Sequence, residues 1–377
     1  MPLVRLLASP LLTLAQEAGY NRPSREPAGL PAMEAARGGA GRAGSPNGGR
    51  GGTAVSTRFA FFEGAFVPIE QAQVSVMAHS FNYGTGCFEG LRAYWNADEE
   101  QLYVFRMPEH YERLHHSCRI LHCRLPYTVD ELGEITLELL RREGFREDAY
   151  IRPIVYKASE GIGVRLHDLR DAFTLWATPF GQYMEHVEGL HVGVSSWRRV
   201  DDNVIPPRAK AIGSYINSAL CKTEAVMAGF DEAIVLDHEG HVAEGSAENL
   251  FLVRDGVLIT PGEECNILEG ITRATLLELA RAELGVEARV RPVDRSELYV
   301  ADEAFLCGTG VQLAVIAKID HRPVGNGQIG PLTRRLRELY FDIVRGRHPG
   351  YRRWCTPVYA GRCAADGSGP TGVVGAG

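Results

Sequence analysis

Pro206–Ser218 reads PPRAKAIGSYINS, and its one lysine decides how the rest of the chain is read. Of the chain's 40 Lys and Arg side chains, only those at 157, 210, 222 and 318 are lysines. Arginine is the general basic residue here, yet Lys210 stands in a short turn of small residues. Either side chain carries surface charge, but only an amine sheds its proton and attacks a carbonyl; a guanidinium stays protonated. A lysine retained at this point suggests a side chain that forms a carbon–nitrogen double bond with an aldehyde.

An aldehyde cofactor of the pyridoxal phosphate type makes three further demands: a dianion site, a carboxylate for the pyridine nitrogen and a donor near the phenolic oxygen. LEGITRATLLELA (268–280) suits the first. Gly270, Ile271 and Thr272 precede an apolar helical pattern, so the first backbone N–H groups lack helical partners and, with the helix dipole, favour an anion. Arg113 and Thr309 offer a charge and a hydroxyl to the same group. GHVAEGSAENLFLV (240–253) places two carboxylates, Glu244 and Glu248, in a Gly/Ser/Ala loop entering an apolar strand, and either suits the pyridine nitrogen. Tyr215, five residues past Lys210, is the candidate partner of the phenol.

Working outward, 377 residues suffice for about two domains. Hydrophobic residues at 45% and charged residues at 23% are ordinary for a soluble globular chain. The net charge of −7 and the lack of a long basic run argue against nucleic acid as a partner. No apolar run reaches the roughly 18–20 residues of a membrane span. The eight cysteines are scattered without a CxxC pair, which points to reduced thiols and a cytoplasmic protein. Cys118 and His122 stand four apart on an expected helix near His110, His115 and His116, but no second cluster completes a tetrahedral set, so no metal site is expected.

AARGGAGRAGSPNGGRGG (35–52) is too poor in apolar residues to form a core, so residues 1–57 are expected to be a disordered extension. An arginine and an apolar stretch open the chain, but Pro10 interrupts them, which argues against a targeting segment. The tail from 348 to 377, ending AADGSGPTGVVGAG, is also expected to be disordered. Between them, RFAFFEGAFVPIE reads as a hairpin turning at Glu63–Gly64. QLYVFR reads as a strand leading into a helix, PEHYERLHHSCRIL, with Pro108 in its first turn. A second helix, VDELGEITLELLRREG, and two strands, AYIRPIVYKAS and AFTLWATPF, complete a small domain over 58–180. A connector (181–189) leads to a larger domain (190–347). There, strands near LHVGVSSW, DEAIVLD, NLFLVRDGVLITP, VRPVDRS and EAFLCGTG alternate irregularly with helices near INSALCKTEAVMAG and TRATLLELARAELG. Without a regular βαβ repeat the class is α+β.

The motifs together resemble those of the class IV (fold type IV) pyridoxal-phosphate enzymes, and among these the branched-chain amino acid aminotransferases. The matching stretches are SFNYGTGCFEGLRAY (80–94), HYERLHHSCRIL (110–121), AYIRPIVY (149–156), VSSWRRVDDNVIPPRAKAIGSY (194–215), GHVAEGSAENLFLVRDG (240–256), LEGITRATLLELA (268–280) and ADEAFLCGTGVQLAVI (301–316). They occur in the family's order over about residues 58–345.

The resemblance implies a smaller N-terminal domain and a larger pseudo-barrel domain with pyridoxal 5'-phosphate between them, and a homodimer or higher homo-oligomer. It implies that Lys210 holds the cofactor covalently and shuttles a proton. It assigns Glu244 rather than Glu248 to the pyridine nitrogen and Tyr215 to the phenolic oxygen. The phosphate falls to Arg113, Ile271, Thr272 and Thr309. Tyr150 and the Thr309–Gly310 backbone would take the substrate α-carboxylate, and Phe88, Trp197 and Tyr215 would line an apolar pocket. Arg152, with Tyr83 from a neighbouring subunit, would take the distal carboxylate of glutamate. An arginine at the pocket's edge suits both glutamate and leucine-like side chains, because its stem and the aromatic walls accept aliphatic groups.

The expected reaction is transamination of leucine, isoleucine or valine with 2-oxoglutarate. IGSY follows the lysine where many relatives have GGNY, and Gly310 stands where alanine is common, so D-amino acid or (R)-amine transamination is the alternative within the fold. The Gly/Arg-rich N-terminus suggests an alternative of another class, a non-catalytic scaffold.

Overall fold

The computed structural model describes residues 58–181 and 189–359. The disordered extension expected over 1–57, most of the connector and the tail from 360 lie outside the described residues.

Two sheets carry the fold, the first antiparallel and the second mixed. The first contains β1 (Phe59–Phe62), β2 (Ala65–Pro68), β3 (Gly86–Phe88), β4 (Leu91–Asn96), β5 (Gln101–Phe105), β6 (Ala149–Lys157) and β7 (Asp171–Pro179). The second contains β8 (Leu190–Arg198), β9 (Glu232–Leu236), β10 (Val242–Gly245), β11 (Asn249–Arg254), β12 (Val257–Thr260), β13 (Ala288–Val290), β14 (Glu303–Gly308), β15 (Gln312–Ile319) and β16 (Arg322–Pro323). A last strand, β17 (Cys355–Pro357), returns to the first sheet, whose order is β17-β5-β4-β6-β7-β1-β2 with β3 on β6. The second sheet runs β10-β9-β8-β15-β14-β11-β12-β13, with β16 on β15. The helices are α1 (His79–Tyr83), α2 (Met107–Ile120), α3 (Val129–Glu143), α4 (Tyr215–Met227), α5 (Ile271–Ala282) and α6 (Pro331–Val344). The fold is α+β, as expected.

Local chemistry explains the elements that position the site. The β1–β2 hairpin turns at Glu63 and Gly64, both at positive φ, as a two-residue hairpin turn requires. Thr128 and Glu131 form a reciprocal capping box on α3, and Gly144 ends it at φ 65°. Strand β5 is buried along its whole length and alternates between two cores. Leu102 and Val104 join Met107, Leu114, Leu132 and Leu140 on one side; Tyr103 and Phe105 join Leu276, Leu336 and Tyr340 on the other. The period-two side-chain geometry of a strand thereby joins α2 and α3 to one face and α5 and α6 to the other.

Three expectations need correction. The chain does not lose its structure at 348: a 3-10 turn over Pro349–Trp354 leads into β17, which pairs with β5, because Tyr351 and Trp354 are buried in the second core. The strand expected over VRPVDRS stops at Val290, and a 3-10 helix starts at Arg295. Pro292 between them has no N–H to donate to a ladder. Cys118 and His122 do not share a helical face, since α2 ends at Ile120 and His122 sits at φ 51°. Helix α6 was not among the expected elements, although Leu332, Leu336 and Tyr340 recur at i, i+4 and are buried. Its first N–H groups, on Leu332 and Thr333, donate to the buried Glu303 carboxylate at 3.1 and 2.8 Å. Among the described residues no helix is long and apolar enough to cross a membrane, and no group of three or more His, Cys, Asp or Glu is arranged to hold a metal ion.

Candidate active site

Lys210 is fixed by its backbone. Its N–H donates to Ser117 Oγ on α2 (3.1 Å), and its carbonyl accepts from Phe88 N on β3 (3.1 Å). The next residue, Ala211, bridges Cys87. Lys157 and Lys222 are held in ion pairs, with Asp171 at 2.8 Å and Glu232 at 2.7 Å. Among the described residues Lys210 makes none; its Nζ lies 5.2 Å from the Phe88 ring and 5.4 Å from that of Tyr215.

That amine opens on a cavity of about 350 Å³, shared by Phe88, Arg113, Tyr150, Arg152 and Tyr215 from one part of the chain and Glu244, Ile271, Thr272, Thr309 and Gly310 from another. Strand alternation selects the cavity residues of β6: Ala149, Ile151 and Val155 face the core, while Tyr150 and Arg152 point the other way. Arg152 donates to Tyr150 Oη at 2.7 Å and lies 4.3 Å over the Phe88 ring. A Cβ at Gly90 would meet Tyr150 Oη at 2.3 Å, so glycine is what lets the phenol stand there.

Glu244 is 4% exposed on β10. Arg199 contacts its Oε1 at 2.8 Å, while Asn249 Nδ2 (3.0 Å) and the Leu268 N–H (3.1 Å) donate to Oε2. Burial raises its pKa, and the Arg199 guanidinium, the Leu268 N–H and the Lys210 cation pull it back towards the ionised form. Glu248 is different. Burial, reinforced by the nearby Glu232 charge, pushes it up to about 8, so it carries a proton at neutral pH. A group with a raised folded pKa lends its stability below the unfolded pKa and loses it as pH climbs through the folded one. Glu248→Gln should therefore gain several degrees in Tm over wild type, the gap widening from about pH 4.5 to about pH 8 and level above. Thermal unfolding across that range checks it; a gap independent of pH would mean Glu248 is ionised throughout.

At the other end of the cavity, Gly270 caps α5 without any side-chain hydrogen bond. A Cβ at Gly270 would lie 1.9 Å from Asn249 Oδ1, so a side-chain cap is excluded sterically and the first N–H groups stay available. Arg113 stands beside them, donating to the Glu269 carbonyl at 2.6 Å. Its orientation comes from Glu89, fully buried, which accepts from Arg113 Nε at 2.7 Å and Nη2 at 2.8 Å and contacts His110 Nδ1 at 2.8 Å. Burial depresses the His110 pKa despite the Glu89 carboxylate, so the ring is neutral with its proton on Nδ1 towards Glu89.

Trp197 does not reach the cavity. It is 44% exposed, because the last residues of β8 run past a register shift and face outward. The aromatic wall comes instead from Trp176 and Phe180, with Phe88 and Tyr150. Trp176 is the cross-strand neighbour of Arg152, and Trp176, Thr178 and Phe180 share one alternation phase in a segment already read as a strand. Tyr83 also lies outside the cavity of its own chain, at the end of α1, where its hydroxyl accepts from the Gly163 N–H at 3.3 Å. Glu89, Arg199 and Asn249 were not singled out from the sequence.

The family model described as amino-transferase class IV matches residues 86–319. The chain belongs to the class IV aminotransferases. A probable branched-chain-amino-acid aminotransferase of Aquifex aeolicus (strain VF5) is 51% identical over 304 residues, 81% of this chain and 98% of that protein. Among solved structures, the branched-chain aminotransferase of Thermoproteus uzoniensis with norvaline is 45% identical, with a TM-score of 0.77 over 80% of this chain and all of that one. The branched-chain amino acid aminotransferase of Thermobaculum terrenum in its PLP-bound holo form is 40% identical, with a TM-score of 0.77 over 81% of this chain and 99% of that one.

Class IV aminotransferases work with pyridoxal 5'-phosphate, and the cavity fits it. Its groups are an amine without an ion-pair partner among the described residues, a buried carboxylate braced by an arginine, and a helix start kept open by glycine beside a second arginine. These are the groups that an aldehyde, a pyridine nitrogen and a phosphate dianion require.

Proposed function

We propose that this class IV aminotransferase exchanges the amino group of leucine, isoleucine or valine with 2-oxoglutarate, giving branched 2-oxo acids and L-glutamate. The observation that carries this reading is that Lys210 and Arg152 open on one cavity that Phe88, Tyr150, Trp176 and Phe180 also line. An amine for the chemistry, an apolar wall for a branched side chain and an arginine for a distal carboxylate then lie within reach of one bound substrate.

When bound, pyridoxal phosphate supplies an aldehyde that receives amines and a conjugated ring that accepts electrons from the substrate Cα. Lys210 would hold the cofactor, and its Nζ would be the base and acid that moves the proton at the substrate Cα. Glu244 holds positive charge at the ring nitrogen, and Tyr215 donates to the phenolic oxygen. Arg113, the Ile271 and Thr272 N–H groups and the Thr309 hydroxyl hold the phosphate. Tyr150 and the Thr309–Gly310 backbone take the α-carboxylate, beside the walls of Phe88, Trp176 and Phe180. Arg152 takes the distal carboxylate of glutamate, with Tyr83 of the partner subunit.

A homodimer is part of this reading. Val76, Phe81, Ile162 and Val164 are exposed apolar side chains on or near α1 and the loop that Tyr83 contacts. Their burial against a second copy would place Tyr83 at a neighbouring site. The seven described cysteines are all free, which supports a reducing, cytoplasmic setting.

The test is a pair of half-reactions on the holoenzyme. L-leucine should convert the visible absorption of the lysine-bound cofactor, and 2-oxoglutarate should restore it. A cofactor band that ignores L-leucine but responds to D-alanine or (R)-1-phenylethylamine overturns the substrate assignment. Arg152→Met should lower kcat/KM for the 2-oxoglutarate half-reaction by about 100-fold, the value of charge-assisted hydrogen bonds to one carboxylate, and leave L-leucine within about fivefold.

A further inference from the structure

Cys87, Cys118 and Cys123 meet behind the Lys210 turn. Cys87 on β3 is fully buried, and its Sγ lies 3.6 Å from that of Cys118 on α2, which is buried too. Cys123 follows α2, and its N–H donates to the Cys118 carbonyl at 2.8 Å. It is only partly buried, so a small solute reaches it before the other two. A hydrogen bond from the Cys87 thiol lowers the Cys123 pKa, and the Lys157 cation adds to this against burial and Asp171. Lys157 is held there by Asp171 at 2.8 Å and by the His122 carbonyl at 2.5 Å. Cys87 is pushed the other way, by its hydrogen bonds to Cys118 and Cys123 and by burial. An accessible thiol that ionises readily thus stands beside one that keeps its proton.

The buried thiol is tied to the reactive lysine. The Phe88 N–H, next along the chain from Cys87, donates to the Lys210 carbonyl, and Cys87 itself bridges Ala211. On the other side Ser117, next to Cys118, accepts the Lys210 N–H. Strand β3 has little room to yield elsewhere: a Cβ at Gly86 would meet the Val155 carbonyl at 2.7 Å and Ile212 Cδ1 at 2.9 Å. A pull on Cys87 therefore passes to the lysine turn.

We propose that Cys123 and Cys87 form an oxidation site that slows the enzyme when it meets hydrogen peroxide. The Cys123 thiolate attacks one peroxide oxygen, the O–O bond breaks, and the departing hydroxide takes up a proton to become water, leaving a sulfenic acid on Cys123. The Cys87 sulfur then attacks the Cys123 sulfur. Its proton leaves with the displaced hydroxyl as a second water, so two thiols give two electrons to the peroxide and become one disulfide. A sulfur–sulfur bond of about 2 Å is far shorter than a thiol contact, so Cys87 is drawn towards the end of α2 and the lysine turn moves with it. Thiol reductants reverse the change by exchange.

The reduced holoenzyme is treated with hydrogen peroxide, and catalase removes the excess. The rate at which L-leucine converts the cofactor band is then measured beside a peptide map of the disulfides. Wild type should slow by about 10- to 100-fold, the effect of misplacing a reacting group by about 1 Å, and should recover with dithiothreitol. The map should show a Cys87–Cys123 bond. Cys123→Ser should start at the wild-type rate and keep it through peroxide. Cys87→Ala should form no such bond and should retain a sulfenic acid on Cys123 that dimedone labels. Slowing of Cys123→Ser to the wild-type extent, a bond from Cys123 to any other cysteine, or a wild type that peroxide leaves unchanged would each overturn the proposal. So would a Cys87–Cys123 bond without slowing. If Cys87→Ala does not fold, the map and the Cys123→Ser comparison decide it. A reduced wild type whose band ignores L-leucine would overturn the substrate assignment alone; the rate at which pyridoxal phosphate rebuilds the band in reduced and oxidised apoprotein then supplies the same comparison.

Discussion

Lys210→Ala is expected to lower kcat by roughly 10⁴-fold while leaving the fold intact, because it removes both the covalent anchor and the proton-transfer group. The fold should survive because the loop is held by main-chain contacts, the Lys210 N–H to Ser117 Oγ and the Lys210 carbonyl to Phe88 N, which alanine keeps. The amine itself makes no ion pair whose loss would be felt among the described residues. The visible band of lysine-bound cofactor should vanish, and added cofactor should be lost on dialysis. Lys210→Arg should be as inactive as the alanine variant, since its guanidinium remains protonated and cannot attack an aldehyde. Circular dichroism and Tm within a few degrees of wild type separate this outcome from misfolding. Turnover near the wild-type rate in either variant would remove Lys210 from the chemistry.

The second large effect is on stability and cofactor affinity together. Glu89→Ala should destabilise the apoprotein by about 3–5 kcal/mol, the usual cost of leaving a buried charge without its partner. Glu89 is fully buried, and its removal strands Arg113 beside a neutral His110. The phosphate of a bound cofactor would partly replace the missing carboxylate, so saturating pyridoxal phosphate should recover part of the loss by mass action. The orientation of Arg113 would still be lost, and weaker cofactor binding than wild type is expected.

The pH dependence has a definite sign. Burial by itself raises the pKa of Glu89, but the Arg113 guanidinium and the His110 N–H more than offset it, and the result lies well below the usual carboxylate range. A depressed folded pKa contributes stability above the unfolded value, and this is lost as pH falls through the folded one. The gap in denaturant midpoint between wild type and Glu89→Ala should therefore be constant from about pH 6 to 8 and shrink only below about pH 4. A gap that changes across neutral pH would mean that His110 rather than Glu89 carries the charge linkage.

Much of this site was legible in the chain because its chemistry is local. A lysine in an arginine-rich protein is visible residue by residue, and so are a glycine that opens a helix start and a carboxylate in a small-residue loop. The two halves of the β6 alternation could also be read, since the period of a strand belongs to the strand itself. Trp197 was misplaced and Trp176 passed over for one reason. Alternation says which residues share a face, but not whether that face meets a cavity, a core or water. The shifted register of β8 turns Trp197 outward, and pairing with β6 brings Trp176 beside Arg152. Glu89 and Arg199 were silent because a buried ion pair is defined by its surroundings. The same holds for the ordered residues after 348, which carry little pattern of their own and owe their structure to Tyr351 and Trp354 filling the second core.

Sequence by itself thus singled out a lysine, a carboxylate and an open helix start that share one cavity, and the α+β class, because side-chain chemistry, backbone freedom and strand or helix period are properties of a few neighbouring residues. Tertiary structure alone decided which carboxylate an arginine braces and which aromatic rings form the wall. Those depend on burial and on distances between residues far apart in the chain, and burial sets the cost of every charge the site uses.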